Sequence, residues 1–297
     1  MKSKAWTESF MRGVFFIAAC ASVLAVTLIC IFLFANGLPA ISEIGVFKFL
    51  TGVRWKPNNK IFGILPMVVG SLYVTAGAIM FGVPIGIFTS VFMAKYCPKK
   101  IYKPLKAATE LLAGIPSVIY GFFGLVVLVP VVRDMGRSLK AMGVIRTAGN
   151  GSSILTASLL LGMMILPTII GVTESALRAV PSHYYEGALA LGATHERSVF
   201  RVVIPAAKSG VVAGVVLGIG RAIGETMAVI MVAGNQARMP EGILKGVRTL
   251  TANIVIEMGY ATDLHREALI ATGVVLFVFI LLLNFCVALL NRRTVRE

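Results

Sequence analysis

Two charged residues inside a long apolar run are the best placed in this sequence to do chemistry. Arg221 and Glu225 lie four residues apart in the segment GIGRAIGETMAVIMVAGN. An arginine near the centre of a membrane costs about 2.5 to 3.5 kcal/mol on insertion scales, so such residues commonly serve a function. Arginine stays charged, and its planar fork binds two oxygens at once, which suits an oxyanion. The pattern favours an anion site, although a purely structural ion pair one helical turn long is the alternative.

The helix that carries this pair also has a ridge of small residues. Gly210, Gly214 and Gly218 recur every four residues, the spacing that lets two membrane helices approach closely. At about 100° per residue, Arg221 lies within roughly 20° of Gly210 and Gly214, and Glu225 roughly 40° further round. We therefore predict one continuous helix whose charged pair and glycine ridge share a face. That face should look toward another helix or an internal pathway.

A second polar segment, AGIPSVIYGFFG, lies within another apolar run. Ser117, Tyr120 and Thr109 have side chains that could line a substrate pathway. The neighbouring glycines and Pro116 could equally serve only to shape the helix, so the two interpretations are evenly balanced.

The composition is that of an integral membrane protein. The chain has 297 residues, of which 57% are hydrophobic and 14% charged, and its mean hydropathy is +0.88. Its net charge of +15 comes from basic residues between apolar runs rather than from a basic domain, so no nucleic-acid partner is expected. We expect a kink or a division at Pro84 in the second span and a break at Pro167 in the fourth. Six spans through the lipid bilayer are predicted, at about residues 14–35, 61–95, 105–132, 153–176, 206–234 and 268–290.

Several classes of enzyme are excluded by what the sequence lacks. No Gly-Lys dipeptide occurs, so the chain has no phosphate-binding P-loop of its own. The three histidines lie in polar loops, and the four cysteines have no paired spacing. We therefore expect neither catalytic residues nor a bound metal or cofactor.

A lysine-rich loop sets the predicted orientation. Residues 95–106 contain five lysines, and such loops remain on the cytoplasmic side. With six spans, both termini are then cytoplasmic. Residues 36–60, 133–152 and 235–267 become outer loops.

The longest helix-like segment that cannot lie in a membrane is PSHYYEGALALGATHERSVFRVVIP, residues 181–205. Its apolar residues recur at helical spacing, which predicts a short amphipathic helix along the bilayer, a turn and a second helix. Gly192 stands where the first helix should end, and Thr194 can cap the next one. Pro205 can open the following membrane span in its first turn.

This loop resembles the cytoplasmic coupling loop of ABC importer permeases, whose pattern is E-A-A, three residues, G, nine residues, I-x-L-P. The matching residues are Glu186, Gly187, Ala188, Gly192 and Pro205, with Gly187 where alanine is usual and an isoleucine before the proline. In that family the loop forms a coupling helix that docks on a separate ATPase subunit. An ordinary interfacial helix is the plainer alternative.

Together with ELLAGIPSVIYGFFGL and GIGRAIGETMAVIMVAGN, the loop makes the chain from residue 36 onward similar to the PstC family of phosphate-specific ABC permease subunits. The resemblance implies an all-α integral membrane protein of the bacterial cytoplasmic (inner) membrane, with about six transmembrane helices and a type I ABC importer permease fold. It divides the chain into residues 1–60, with the first span and outer loop, and a permease core at 61–297. It also links Arg221 and Glu225 to phosphate movement.

The same resemblance implies a set of partners. They are a PstA-like sister permease that forms a heterodimer with this chain, a dimer of ATP-binding cassette ATPases, and an extracytoplasmic phosphate-binding protein. This chain would then be a translocation subunit rather than an enzyme. Ser117 and Tyr120 would join Arg221 and Glu225 in the substrate pathway.

Three alternatives remain open at this point. A related permease for sulfate, molybdate or another oxyanion would use Arg221 equally well. An ion-driven secondary transporter could use Glu225 as a proton site. A membrane scaffold without transport activity is favoured only if both charged residues are dispensable.

Overall fold

The computed structural model describes the backbone of residues 2–294 and the side chains of residues 10–285. Five of its helices are long and apolar enough to cross a membrane, and a sixth candidate is a helix pair bent by 70°. The predicted all-α membrane fold with about six spans is thus confirmed. The helices are α1 (Lys2–Ile44), α2 (Val46–Thr51), α3 (Leu65–Val91), α4 (Lys99–Gly114), α5 (Ser117–Phe123), α6 (Val129–Ala141), α7 (Ile154–Ala179), α8 (Ser182–Ala190), α9 (His195–Ser198), α10 (Ile204–Ala206), α11 (Lys208–Gly224), α12 (Met227–Val232), α13 (Leu250–Met258) and α14 (Asp263–Thr294).

Helix α7 lies at the centre of the fold, between α3 and α11. Several of its apolar side chains, among them Leu160, Ile165 and Ile169, are fully buried in the main core cluster. The glycine ridge of α11 packs on α7, as predicted from its spacing. A Cβ on Gly210 would lie 2.3 Å from Cβ of Ala176, so only glycine permits this approach of the two helices.

Pro84 and Pro167 do not break the helices that contain them. Pro84 lies within α3 and Pro167 within α7, and both helices run on as single spans. The break predicted at Pro167 and the division predicted as one of two possibilities at Pro84 are therefore wrong, whereas the other possibility, a kink at Pro84, stays a prediction. Gly82 and Gly86 on either side of Pro84 press against α7, where a Cβ added to either glycine would lie 2.7 Å from the nearest side-chain atom. Such packing can hold a proline-containing helix together.

The third predicted span is in fact two helices. Helix α4 ends at Gly114 and has no buried residue, whereas the membrane-crossing helix begins at Ser117 and continues through α6. Pro116 explains the break, because it forces Ile115 into extended backbone (φ −69°, ψ 125°). The start predicted near residue 105 is wrong for this reason.

The fifth predicted span is broken twice. Residues 195–206 meet α11 at the 70° bend, immediately after Pro205, which lies in α10 rather than in the first turn of α11. A proline cannot donate a backbone hydrogen bond, so a sharp bend beside it is expected. The second break follows Gly224, where α11 ends.

All three predicted outer loops contain ordered elements, and α6 continues to Ala141 within the loop predicted at 133–152. Helix α1 continues to Ile44, beyond the predicted end of its span, and packs against α14. After α2, strands β1 (Trp55–Lys56) and β2 (Ile61–Phe62) form an antiparallel hairpin in which Trp55 pairs with Phe62. Helix α13, in the segment predicted as an outer loop, buries five of its nine residues. The predicted end of the C-terminal tail, residues 295–297, lies outside the described part of the chain.

Candidate substrate and coupling sites

Arg221 and Glu225 lie on either side of the second break. Helix α11 ends at Gly224, and Glu225 adopts extended backbone (φ −68°, ψ 133°). Its carboxylate Oε1 accepts a hydrogen bond from the Ala228 amide in α12 at 3.2 Å, and its carbonyl accepts one from the Thr251 hydroxyl at 3.0 Å. The prediction that Arg221 and Glu225 share a helix face in contact is therefore wrong. Glu225 instead caps the next helix.

The break suits the charges of both residues. Arg221 lies in the last turn of α11, where the helix end is partially negative. Glu225 stands before the partially positive end of α12. Arg221 is exposed, and within residues 10–285 its guanidinium makes no ion pair and no hydrogen bond. Its fork is thus free to bind a group from outside this chain.

Tyr120 and Ser117 differ in how available they are. The Tyr120 side chain is only 7% exposed, and its hydroxyl donates to the carbonyl of Leu112 at 2.8 Å. This bond ties the end of α4 to α5, within electrostatic reach of Arg221. Ser117 is the first residue of α5 and is half-buried. The structure therefore places Tyr120 near Arg221 with its hydroxyl already occupied.

The predicted coupling loop is an ordered helix followed by a tight turn. Helix α8 ends at Ala190, and Gly192 has a positive φ of 82°, as its predicted role as a stop requires. The Ala193 amide closes the turn on the Ala188 carbonyl at 3.0 Å. The Thr194 hydroxyl accepts from the Arg197 amide at 3.3 Å, which confirms the predicted cap of α9.

The outward side of this loop is open. Glu186, Gly187, Gly192 and Pro205 are exposed, and Ala188 is half-buried. Leu191 at the end of α8 is 90% exposed. The open side of the loop thus presents an apolar side chain next to the polar Glu186.

The other side of the loop is fixed to the rest of the chain. The Tyr185 hydroxyl of α8 lies 2.6 Å from Nδ1 of His195 in α9. The Tyr96 ring, just beyond α3, packs edge-on against His195 at 4.7 Å between ring centroids. The loop is thus held as one unit against the end of α3.

Comparisons with known proteins decide the family. A family profile described as "Binding-protein-dependent transport system inner membrane component" matches residues 82–296. The chain belongs to this family. An ion-driven secondary transporter, one of the alternatives drawn from the sequence, does not fit this assignment.

Relatives of this permease cover most of its length. The probable ABC transporter permease protein YqgH of Bacillus subtilis is 37% identical over 287 residues, which are 93% of this chain and 90% of the relative. The phosphate transport system permease protein PstC of Mesorhizobium japonicum is 38% identical over 265 residues, 86% of this chain and 81% of that protein. The similarity to the PstC family expected from the motifs is confirmed.

A solved structure confirms the importer fold. A bacterial alginate ABC transporter, crystallised with an alginate-bound periplasmic protein, superposes with a TM-score of 0.60. The match covers 93% of this chain and 94% of that one at 17% identity, so it speaks for the fold alone. The permease is a membrane-embedded, multi-pass subunit of this type.

A buried carboxylate in the permease was missed by the sequence analysis. Glu174 of α7 is 1% exposed and accepts hydrogen bonds from the Tyr102 hydroxyl (2.7 Å), Lys106 Nζ (2.9 Å) and Arg178 Nε (2.7 Å). We call these four residues the Glu174 cluster. The hydrogen bond to Glu174 raises the pKa of Tyr102 and that of Lys106. The complementary i, i+4 pair of Glu174 and Arg178 on α7 was the local signal available in the sequence.

A second buried carboxylate lies toward the Leu65 end of α3. Glu257 of α13 accepts from Nε1 of Trp55 (2.7 Å), a guanidinium nitrogen of Arg248 (2.5 Å) and Nε2 of His265 (2.9 Å). We call these four residues the Glu257 cluster. Burial alone would raise the pKa of Glu257, but the three hydrogen bonds outweigh burial and hold it below its ordinary value. The cluster joins the hairpin, α13 and the start of α14.

Proposed function

We propose that this chain is the translocation subunit of an ABC importer that takes up inorganic phosphate. The observation that supports phosphate as the substrate is the exposed guanidinium of Arg221 at a helix break. This guanidinium has no partner in the described part of the chain. A planar, permanently charged fork matches the oxygens of phosphate. The PstC relative from Mesorhizobium japonicum, which by its name transports phosphate, supports the same substrate.

In this proposal the substrate pathway is lined by Arg221, Glu225, Ser117 and Tyr120. Arg221 binds the anion directly. Glu225 keeps the end of α11 apart from α12 through its cap on Ala228, so its carboxylate is engaged with α12 and does not pair with the guanidinium. Tyr120 fixes the wall beside it by holding α4. Ser117 contributes a hydroxyl at the start of α5.

The proposed energy source is ATP hydrolysis on separate subunits. The chain lacks a P-loop, and its loop at 181–205 presents Glu186, Gly187 and the exposed Leu191 to a partner. We assign this surface to a dimer of ATP-binding cassette ATPases. A PstA-like sister permease completes the pore, and an extracytoplasmic phosphate-binding protein delivers the anion. ATP-driven movement of α8 then exposes Arg221 alternately to the two sides of the membrane.

This assignment sets the orientation. The coupling loop and both termini face the cytoplasm, and the protein resides in the bacterial cytoplasmic membrane. The lysines of residues 95–106 lie near the same end of α3 as the coupling loop, in agreement with the rule that positive loops stay inside.

The test is uptake of labelled phosphate by the assembled transporter in proteoliposomes, with sulfate and molybdate as competitors. Hydrogen bonds to a charged group contribute about 1.5 to 3 kcal/mol, so Arg221→Ala should reduce phosphate uptake about 10- to 150-fold. Arg221→Lys keeps the positive charge but not the planar fork, so its phosphate uptake should lie between that of the parent and that of Arg221→Ala. The matched control is Arg12→Ala, which removes an exposed arginine from α1. Normal uptake of labelled phosphate by Arg221→Ala would refute the site. If unlabelled sulfate or molybdate inhibits the uptake more strongly than unlabelled phosphate does, the assigned substrate is wrong.

A further inference from the structure

The Glu174 cluster lies where the coupling loop joins the core. Helix α7 ends at Ala179 and α8 begins at Ser182, so Glu174 lies between one and two turns before this junction. Both carboxylate oxygens are used: Oε1 by Tyr102 and Arg178, and Oε2 by Lys106. A buried carboxylate with all of these bonds thus lies close to the coupling helix.

Two helices meet at this carboxylate, and Arg178 extends the contact to a third segment. Tyr102 and Lys106 come from α4, and Arg178 comes from α7 itself. Arg178 also donates to the carbonyl of Met93, beyond the end of α3, at 2.9 Å. Its guanidinium lies 4.4 Å from the centroid of the Tyr102 ring. The ends of α3 and α7 and the body of α4 are thus joined through polar contacts.

Helix α4 depends unusually on these contacts. It has no buried residue, so apolar packing within this chain does little to fix it. Its far end is held by the Tyr120 hydroxyl on the Leu112 carbonyl. The helix is therefore held by Glu174 on the coupling side and by Tyr120 near Arg221.

We propose that Glu174 is a positioning residue that makes α4 move with the coupling helix, so that motion of α8 reaches the substrate pathway through Tyr120. This inference rests on the proposed ABC importer function. A buried ion pair is weak evidence for stability alone, because well-packed apolar residues often serve a fold as well or better. Charge-assisted hydrogen bonds are strong and directional, so they suit a contact between α4 and α7 that must keep one geometry while the helices move.

The test compares transport with hydrolysis in the assembled transporter. Glu174→Gln keeps the size of the side chain but cannot hold Lys106 and Arg178 by charge. Coupling between distant sites is typically worth about 5- to 150-fold, so we expect phosphate taken up per ATP hydrolysed to fall by about tenfold or more while hydrolysis continues. The control Glu43→Gln removes an exposed carboxylate of α1, outside the Glu174 cluster, and should leave the ratio unchanged. An unchanged ratio in Glu174→Gln overturns the proposal.

Two milder variants cover the case in which Glu174→Gln does not assemble. Tyr102→Phe removes one hydroxyl and keeps the ring beneath Arg178, and Lys106→Met removes one charge. Each should lower the ratio by part of the full effect. If both assemble with a wild-type ratio, the link through Glu174 does not exist.

A distance measurement separates this inference from the proposed function. Spin labels at Tyr184 of α8 and Ile101 of α4, both exposed, are placed in a background in which the native cysteines are replaced. In the parent protein the distance between the labels should be the same with and without ATP, because the two helices move together. Glu174→Gln should broaden the distance distribution. If the distance between the labels in the parent protein changes with ATP, the link between α4 and the coupling helix is refuted, even if phosphate uptake behaves as proposed. If the distance stays fixed but phosphate is not taken up, only the assigned substrate is refuted.

Discussion

The turn that ends the coupling helix offers a matched pair of substitutions with opposite expected effects. Gly192 has a φ of 82°, and Gly187 lies inside α8. A Cβ at either position would have no atom within 4 Å. Replacing each by alanine therefore tests the backbone alone, free of steric clashes within the chain.

The magnitudes follow from the two backbone conformations. An alanine in the left-handed region costs about 1 to 2 kcal/mol, so Gly192→Ala should weaken the closing bond between the Ala193 amide and the Ala188 carbonyl. Alanine in a helix interior is better than glycine by about 0.5 to 1 kcal/mol, so Gly187→Ala should stabilise α8. The two variants should thus differ by about 1.5 to 3 kcal/mol, the sum of these two effects.

Hydrogen exchange of the α8 amides in the membrane-reconstituted full-length permease measures both effects. If local opening of α8 controls exchange, Gly192→Ala should speed exchange of the Ala193 amide about 5- to 30-fold, the factor that corresponds to 1 to 2 kcal/mol. Gly187→Ala should slow exchange about 2- to 5-fold, by the same conversion. Slower exchange in both variants would refute the argument, because it would mean that Gly192 does not need its positive φ.

Two further predictions concern stability. The pKa of Glu257 is held below its ordinary 4.5, so its hydrogen bonds stabilise the fold above about pH 4.5 and are lost as the pH falls through the lower folded-state pKa. The difference in Tm between the parent and Glu257→Gln should therefore shrink from pH 7 to pH 3.5. A Tm difference that stays constant over this range would contradict this origin of the stability. Gly210→Ala should lower the Tm, because its Cβ would lie 2.3 Å from that of Ala176 and overpacking costs about 1 to 3 kcal/mol, whereas Gly171→Ala, with no atom within 4 Å, should not.

Local signals in the sequence were enough to find the apolar spans and the coupling loop, although not every boundary or break of the spans. The predicted fourth span, 153–176, nearly coincides with α7, because a long apolar run bounded by polar residues leaves little choice. The stop at Gly192 and the cap at Thr194 are set by residues within a few positions of each other. The close approach of the α11 glycines to α7 also followed from spacing.

The remaining features depend on contacts distant in sequence. The break at Glu225 has no proline to announce it, and its freed carbonyl is satisfied by Thr251, 26 residues later. Tyr102 and Glu174 are 72 residues apart, and Trp55 and Glu257 are 202 apart. The continuity of α3 through Pro84 rests on its packing against α7. Patterns along one stretch of chain carry no information on such partners.

The hydrogen bond between Trp55 and Glu257 gives the permease an intrinsic fluorescent reporter. The indole of Trp55 is 7% exposed, donates to a carboxylate and stacks edge-on against Phe62 at 5.4 Å. Indole emission is sensitive to such a charge and to water, so the emission wavelength of Trp55 reports whether the hairpin keeps its packing around Trp55. The sequence has only one other tryptophan, Trp6, whose side chain lies outside the described residues. In a Trp6→Phe background, a docking partner that disturbs the hairpin becomes visible in real time without an attached dye.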